Sequence, residues 1–230
     1  MNRFKRLKRE LQSIDEESDE VKRQMRIEVD SDDLSQLTAF LSGPPDSPYA
    51  GGTFRLQITV PKSYPFEPPI VHFRTKIWHP NISDNNGYVC LDTLRGKWSP
   101  ALTLKTLLWT LQALLQDPCA RDPLNHEVGR QMIRSQEVYH KTARFWTKEY
   151  ATEAASTGTG ETDEENLITQ VMGQRIRGDR DSAIRYLSGR GWKLSAVRTA
   201  ASNAGPVRRG TGRRGAGRGP YSRTRPTSKS

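Results

Sequence analysis

The chain has 230 residues, of which 34% are apolar, and a net charge of +10. Eight of its cations lie in residues 204–230 with no acid among them, so the basicity belongs to a tail and not to the body of the protein. Two cysteines, Cys90 and Cys119, and no CxxC pair argue against a disulfide framework or a cysteine zinc site, and no apolar run approaches the ~18–20 residues of a membrane span.

The first predicted element is a helix over residues 2–13, with Phe4, Leu7, Leu11 and Ile14 on one face and Arg3, Lys5, Arg6, Lys8 and Arg9 around it. Glu10 and the lack of an apolar stretch argue against reading this basic start as a secretory signal; an amphipathic mitochondrial presequence is the weaker alternative. Three alternating segments follow: Met25/Ile27/Val29, Leu37/Ala39/Leu41 and Phe54/Leu56/Ile58/Val60. The run from Gly43 to Gly52, with three prolines, separates the last two as a loop, and a fourth short strand covers Ile70 to Phe73. Strands in direct succession with short connections predict an antiparallel meander.

Residues 77–101 form an irregular stretch too long for an idle connection, and they contain Cys90. Leu104, Leu107, Leu108, Leu111 and Leu115 then mark a helix that ends at Asp117-Pro118. Further helices are expected at 125–134 and 136–150, the latter with Tyr139, Ala143, Trp146 and Tyr150 on one face. The fold class is therefore α+β: an N-terminal helix, a four-stranded antiparallel meander and C-terminal helices, over residues 1–150. Residues 151–162 read as a flexible linker, 163–202 as a bundle of three short helices, and 203–230 as a disordered Arg/Gly-rich tail. The bundle's apolar clusters are Leu167/Ile168/Val171, Ala183/Ile184/Leu187 and Trp192/Leu194/Val197.

A lone cysteine is more often a small buried hydrophobe than a nucleophile. Cys90, however, lies in a polar, Gly-containing loop after His79-Pro80-Asn81 and before Leu91-Asp92. Tyr64-Pro65-Phe66-Glu67-Pro68-Pro69, Ile77-Trp78-His79-Pro80-Asn81-Ile82, Gly87-Tyr88-Val89-Cys90-Leu91-Asp92 and Trp98-Ser99-Pro100-Ala101 together resemble the signature of ubiquitin-conjugating enzymes, in order and spacing, over residues 3–150. The resemblance implies that Cys90 carries ubiquitin as a thioester and passes it to a lysine amine. A thioester is already activated, so an accessible thiol suffices and no adjacent histidine base is required. By the same resemblance Asn81 donates to the developing oxyanion or braces the loop, and His79 pins the loop. Asp122 orients and deprotonates the incoming lysine or serves as a turn or cap residue, and Asp92 assists or caps its own turn. Arg121 stands where family members often have another acid. Cys119 lacks the Leu-Asp context and is read as non-catalytic. A Cys-His protease, a conjugating enzyme for another modifier and a non-catalytic scaffold are the rival readings. Four motifs in register weigh against the first, Leu91-Asp92 with the Ser-Pro-Ala loop against the second, and Cys90 itself against the third.

The resemblance further implies docking of the activating enzyme on Arg3, Lys5, Arg6, Lys8 and Arg9, and of a RING-type ligase on Phe66, Pro100 and Ala101. The expected partners are ubiquitin, those two enzymes and substrate proteins, with no membrane. No cofactor is expected in this chain, because ATP is consumed by the activating enzyme. Residues 163–202 resemble a ubiquitin-associated domain, although Gln174 replaces an aromatic after Met172-Gly173, extra residues occur around Arg175 to Gly178, and Ala200-Ala201 stand where leucines are usual. The tail offers only Tyr221 for stacking on bases, so any nucleic-acid contact there would be phosphate attraction. Reduced thiols point to the cytoplasm or nucleus.

Overall fold

The computed structural model describes residues 3–30, 32, 34–89, 98–152, 163–173 and 179–193. Four strands, β1 (Met25–Val29), β2 (Gln36–Ser42), β3 (Thr53–Thr59) and β4 (Ile70–Phe73), form an antiparallel sheet in the order β1-β2-β3-β4. This is the expected meander. In register, Leu41 faces Met25 and Phe54, and Ala39 faces Ile27 and Leu56. Leu56 and Ile58 in turn face Phe73 and Val71. These rows supply one buried face of the sheet, closed by α3 (Leu104–Gln116), whose five predicted leucines are all buried. At the sheet margins the alternation fades: Val29 and Ile70 are exposed.

Helix α1 (Arg3–Asp15) is rotated from the expected face. Leu7 and Ile14 are buried as predicted, but Phe4 is 41% exposed and Leu11 only half-buried, while Glu10 is 8% exposed. The helix turns this way because Glu10 has three partners inside. Its carboxylate accepts from Arg6 Nε (2.6 Å), Tyr64 Oη (2.7 Å) and the Leu104 backbone N–H (2.8 Å). A buried charge is tolerable only when paired and hydrogen-bonded in this manner. Helix α2 (Asp19–Gln24) was not evident from periodicity because it buries no residue. Its signals are Asp19 and Glu20 in the first turn and Lys22 and Arg23 in the last, which complement the helix dipole.

The remaining helices are α4 (His126–Arg134), α5 (Gln136–Tyr150), α6 (Asp163–Gly173) and α7 (Arg180–Gly189). Asn125 caps α4 by accepting from Glu127 N and Val128 N, and Ser135 caps α5. Ala151, expected to open a linker, is instead buried, and its carbonyl accepts from Thr53 N–H (2.8 Å). Residues 153–162, the third helix of the expected bundle beyond Lys193 and the whole tail lie outside the described residues.

The two described C-terminal helices pack against the preceding domain. Trp146 Nε1 donates to Ser188 Oγ (2.8 Å), and Trp192 Nε1 to Thr142 Oγ1 (3.2 Å) with its ring 4.6 Å from that of Phe145. Arg180 bridges Glu149 of α5 and Glu165 of α6.

Candidate active site

The segment after β4 is fastened from within. Trp78 is fully buried, donates from Nε1 to Gln131 Oε1 (2.8 Å), and its carbonyl accepts from Tyr49 Oη (2.8 Å). His79 is also fully buried. Its Nδ1 accepts from the Asn81 backbone N–H (3.0 Å), so the neutral ring carries its proton on Nε2, which faces the Leu114 carbonyl at 3.1 Å. Burial pushes the imidazole down to about 4, so it is uncharged at neutral pH. With both nitrogens engaged, neither is placed to take a proton from a reactant.

Asn81, 2% exposed, spends its whole amide on the loop that joins α3 to α4. Nδ2 donates to the carbonyls of Cys119 (2.8 Å) and Asp122 (3.1 Å), and Oδ1 accepts from Cys119 N–H (2.8 Å). The Pro80 carbonyl accepts from Asn125 N–H (2.8 Å), so the His79-Pro80-Asn81 turn and residues 119–125 form one bonded unit.

From Asn81 the chain runs into a tight hairpin. Ile82 bridges Val89, Ser83 N–H donates to the Tyr88 carbonyl (2.9 Å), and Gly87 N–H to the Ser83 carbonyl (2.8 Å). The returning arm lies beside β4: Tyr88 bridges His72, and Val89 N–H donates to the Val71 carbonyl (3.2 Å). Gly87 is required here, since its φ is +71° and a Cβ would stand 1.8 Å from the Phe73 carbonyl oxygen. The residue that follows this arm in sequence is Cys90. Cys90 and Asp92 themselves lie outside the described residues.

Asp122 is exposed, and the helix that follows is capped by Asn125, not by Asp122. Asp122 therefore presents its carboxylate from a loop whose backbone is fixed by Asn81. Arg121 beside it is exposed too. Cys119 is a half-buried free thiol whose backbone N–H and carbonyl both bind Asn81.

Of the residues expected to dock partners, Phe66 is 75% exposed, and Pro100 and Ala101 are exposed as well. Their two loops are linked, because Trp98 Nε1 donates to the Pro65 carbonyl (2.9 Å). On α1, Lys5, Lys8 and Arg9 face solvent. Arg3 and Arg6 are half-buried: Arg3 donates to the Val60 carbonyl (3.5 Å), and Arg6 ion-pairs with Glu10 and donates to the Leu102 carbonyl (2.7 Å). Arg6 thus joins α1 to the Pro100-Ala101 loop. Sequence reading missed this role of Glu10 and Arg6, although their four-residue spacing is the signal for a helical ion pair.

Two helices, the second of six residues, precede a four-stranded meander, helices follow it, and a His-Pro-Asn turn is locked to the loop after α3, an α+β arrangement that known proteins share. A family model described as ubiquitin-conjugating enzyme matches residues 6–147. Ubiquitin-conjugating enzyme E2 27 of Arabidopsis thaliana is 47% identical over 148 residues, 64% of this chain and 76% of that one. Ubiquitin-conjugating enzyme E2 K of Homo sapiens is 39% identical over 192 residues, 84% of this chain and 93% of that one. The solved E2 domain of a Toxoplasma gondii ubiquitin conjugating enzyme superposes with a TM-score of 0.60 at 40% identity, covering 65% of this chain and 99% of that chain. The chain belongs to the ubiquitin-conjugating enzyme family and is a transferase of that conjugation pathway. Among the described residues no helix is long and apolar enough to cross a membrane.

Proposed function

We propose that the chain accepts ubiquitin from the activating enzyme as a thioester on Cys90 and transfers it to a lysine amine of a substrate or of ubiquitin. The observation that supports this most is the bonded unit of Asn81 with residues 119–122, from which a tight hairpin runs straight into Cys90 in sequence. In this reading Asn81 holds the Asp122 loop, and Asp122 orients the incoming amine and takes its proton. Asp92 assists. The neutral, buried His79 braces the turn. The exposed Phe66, Pro100 and Ala101 receive a RING-type ligase, and Lys5, Lys8 and Arg9 receive the activating enzyme. ATP acts only on the activating enzyme, and this chain holds no cofactor of its own. The exposed Met172 gives the C-terminal helices a contact for ubiquitin in the manner of a ubiquitin-associated domain. The chain works in the cytoplasm or nucleus.

Purified activating enzyme, ATP and ubiquitin should charge the protein with a reductant-sensitive adduct. That adduct should vanish in Cys90→Ala and persist in Cys119→Ala. Loss of charging in Cys119→Ala, with charging retained in Cys90→Ala, refutes the assignment.

A further inference from the structure

On α7, Asp181, Arg185 and Ser188 stand four and three residues apart and so share one helical face. That face meets the catalytic domain at three points. Asp181 pairs with Lys76, the residue that leads into Ile77, and accepts from Tyr150 Oη (2.7 Å). Ser188 Oγ accepts from Trp146 Nε1 (2.8 Å), and the Ser188 carbonyl from Gln131 Nε2 (2.6 Å). Between these anchors, Arg185 reaches the turn of the hairpin between Asn81 and Cys90. Its Nη1 donates to Asp84 Oδ2 (2.6 Å) and reaches Asn85 Oδ1 at 3.5 Å, and its Nη2 donates to the Asp84 carbonyl (3.2 Å).

We infer that Arg185 is a positioning residue for ubiquitin transfer, acting from the C-terminal helix on the hairpin that runs into Cys90. The inference rests on the thioester reading of Cys90. A guanidinium fork that grips the carboxylate and the carbonyl of one residue fixes where the turn lies and how it is oriented, which a point charge does not. The grip works because the helix behind it is held one turn away on either side. Asp181 holds the entry to the His79-Pro80-Asn81 segment while Arg185 holds its far turn, so the stretch from Lys76 to Val89 is clamped at both places by a single helix. The Arg185 and Asp84 side chains are 38% and 25% exposed, so this ion pair adds little to global stability. Its loss loosens the hairpin locally, and reacting groups displaced by as little as ~1 Å react more slowly.

The test isolates the thioester of the full-length protein and chases it with increasing free lysine in single turnover. Arg185→Ala should lower the limiting discharge rate roughly three- to tenfold, within the range of coupling through such contacts, with the lysine concentration at half-maximal rate unchanged. Arg185→Lys, which keeps the charge but not the two-pronged grip, should recover only part of the rate. Arg190→Ala, whose guanidinium stacks on Tyr186, should discharge at the parental rate. Amide hydrogen exchange over residues 83–88 should quicken in Arg185→Ala and not in Arg190→Ala. Should Arg185→Ala fold poorly, Asp84→Ala removes the ion pair from the hairpin side, leaves the residue-84 carbonyl in place, and should show a smaller loss of rate in the same direction. Parental discharge by Arg185→Ala overturns the inference, as does parental discharge by Asp84→Ala or a loss that Arg190→Ala shares. Failure of the Cys90 reading is seen earlier and separately, as no adduct on the parental protein or one that survives Cys90→Ala.

Discussion

Replacing Asn81 by alanine separates bracing of the active-site loop from direct action on the reacting carbonyl. The substitution deletes three hydrogen bonds, to Cys119 N–H, Cys119 C=O and Asp122 C=O. Each is worth ~0.5–1.5 kcal/mol net when its partner can turn to water, and more when the partner is stranded. All three bonds are part-buried, so ~0.7–1 kcal/mol applies to each. The expected loss is about 2–3 kcal/mol of unfolding free energy. With an m-value of ~2 kcal/mol per molar urea, the midpoint falls by about 1–1.5 M at unchanged slope. Asn81→Asp should be worse than alanine, because a carboxylate oxygen would then face two carbonyls where an amide now donates. Discharge of the thioester to free lysine should slow in both variants while charging persists. A midpoint shift under ~0.3 M combined with hundredfold slower discharge would refute the bracing argument and leave the amide acting at the chemical step alone.

Two further outcomes follow from buried polar groups. His79 in the folded chain takes up a proton only near pH 4, against ~6.5 when unfolded, so the unfolded state binds more protons between those values. Stability is therefore complete above pH ~6.5 and falls as the pH drops towards 4, by about 2 kcal/mol at pH 5. Urea midpoints across this range should show that slope. It should shrink in His79→Gln to the smaller slope of the same sign from His72, and an unaltered slope would refute it. Glu10→Ala removes the acceptor shared by Arg6 Nε, Tyr64 Oη and the Leu104 amide and should cost about 3 kcal/mol, or ~6–12 °C in melting temperature. Glu10→Gln, which still accepts from Tyr64 and Leu104, should lose less; equal losses would show that the hydrogen bonds are immaterial.

The meander and α3 were legible because their apolar residues repeat at the period of the element, and each repeat falls on a buried face. Leu37, Ala39 and Leu41 are fully buried, as are four of the five leucines of α3. The four motif strings pointed to the family in the same way, by order and spacing, and the family model that matches residues 6–147 bears that out. What escaped was polar and long-range. Nothing in the hydropathy of Lys-Arg-Glu-Leu says that Glu10 turns inward, since its reason is Tyr64 and Leu104 far along the chain. The same holds for His79, whose burial is fixed by the Leu114 carbonyl, and for Asn81, whose partners are backbone atoms that every residue possesses. The packing of α7 was hidden for a related cause. Its contacts run through Asp181, Arg185, Ser188 and Gln131, residue types that ordinarily mark a solvated surface.

Composition alone invites a cut after Tyr150 to obtain a minimal fragment. Such a fragment would strip Trp192 from Phe145 and the Ser188 hydroxyl from the Trp146 indole, baring an aromatic patch on its last helix that was made to be covered. The trimmed piece should then self-associate more than the full-length protein, which sedimentation of the two at equal concentration would show.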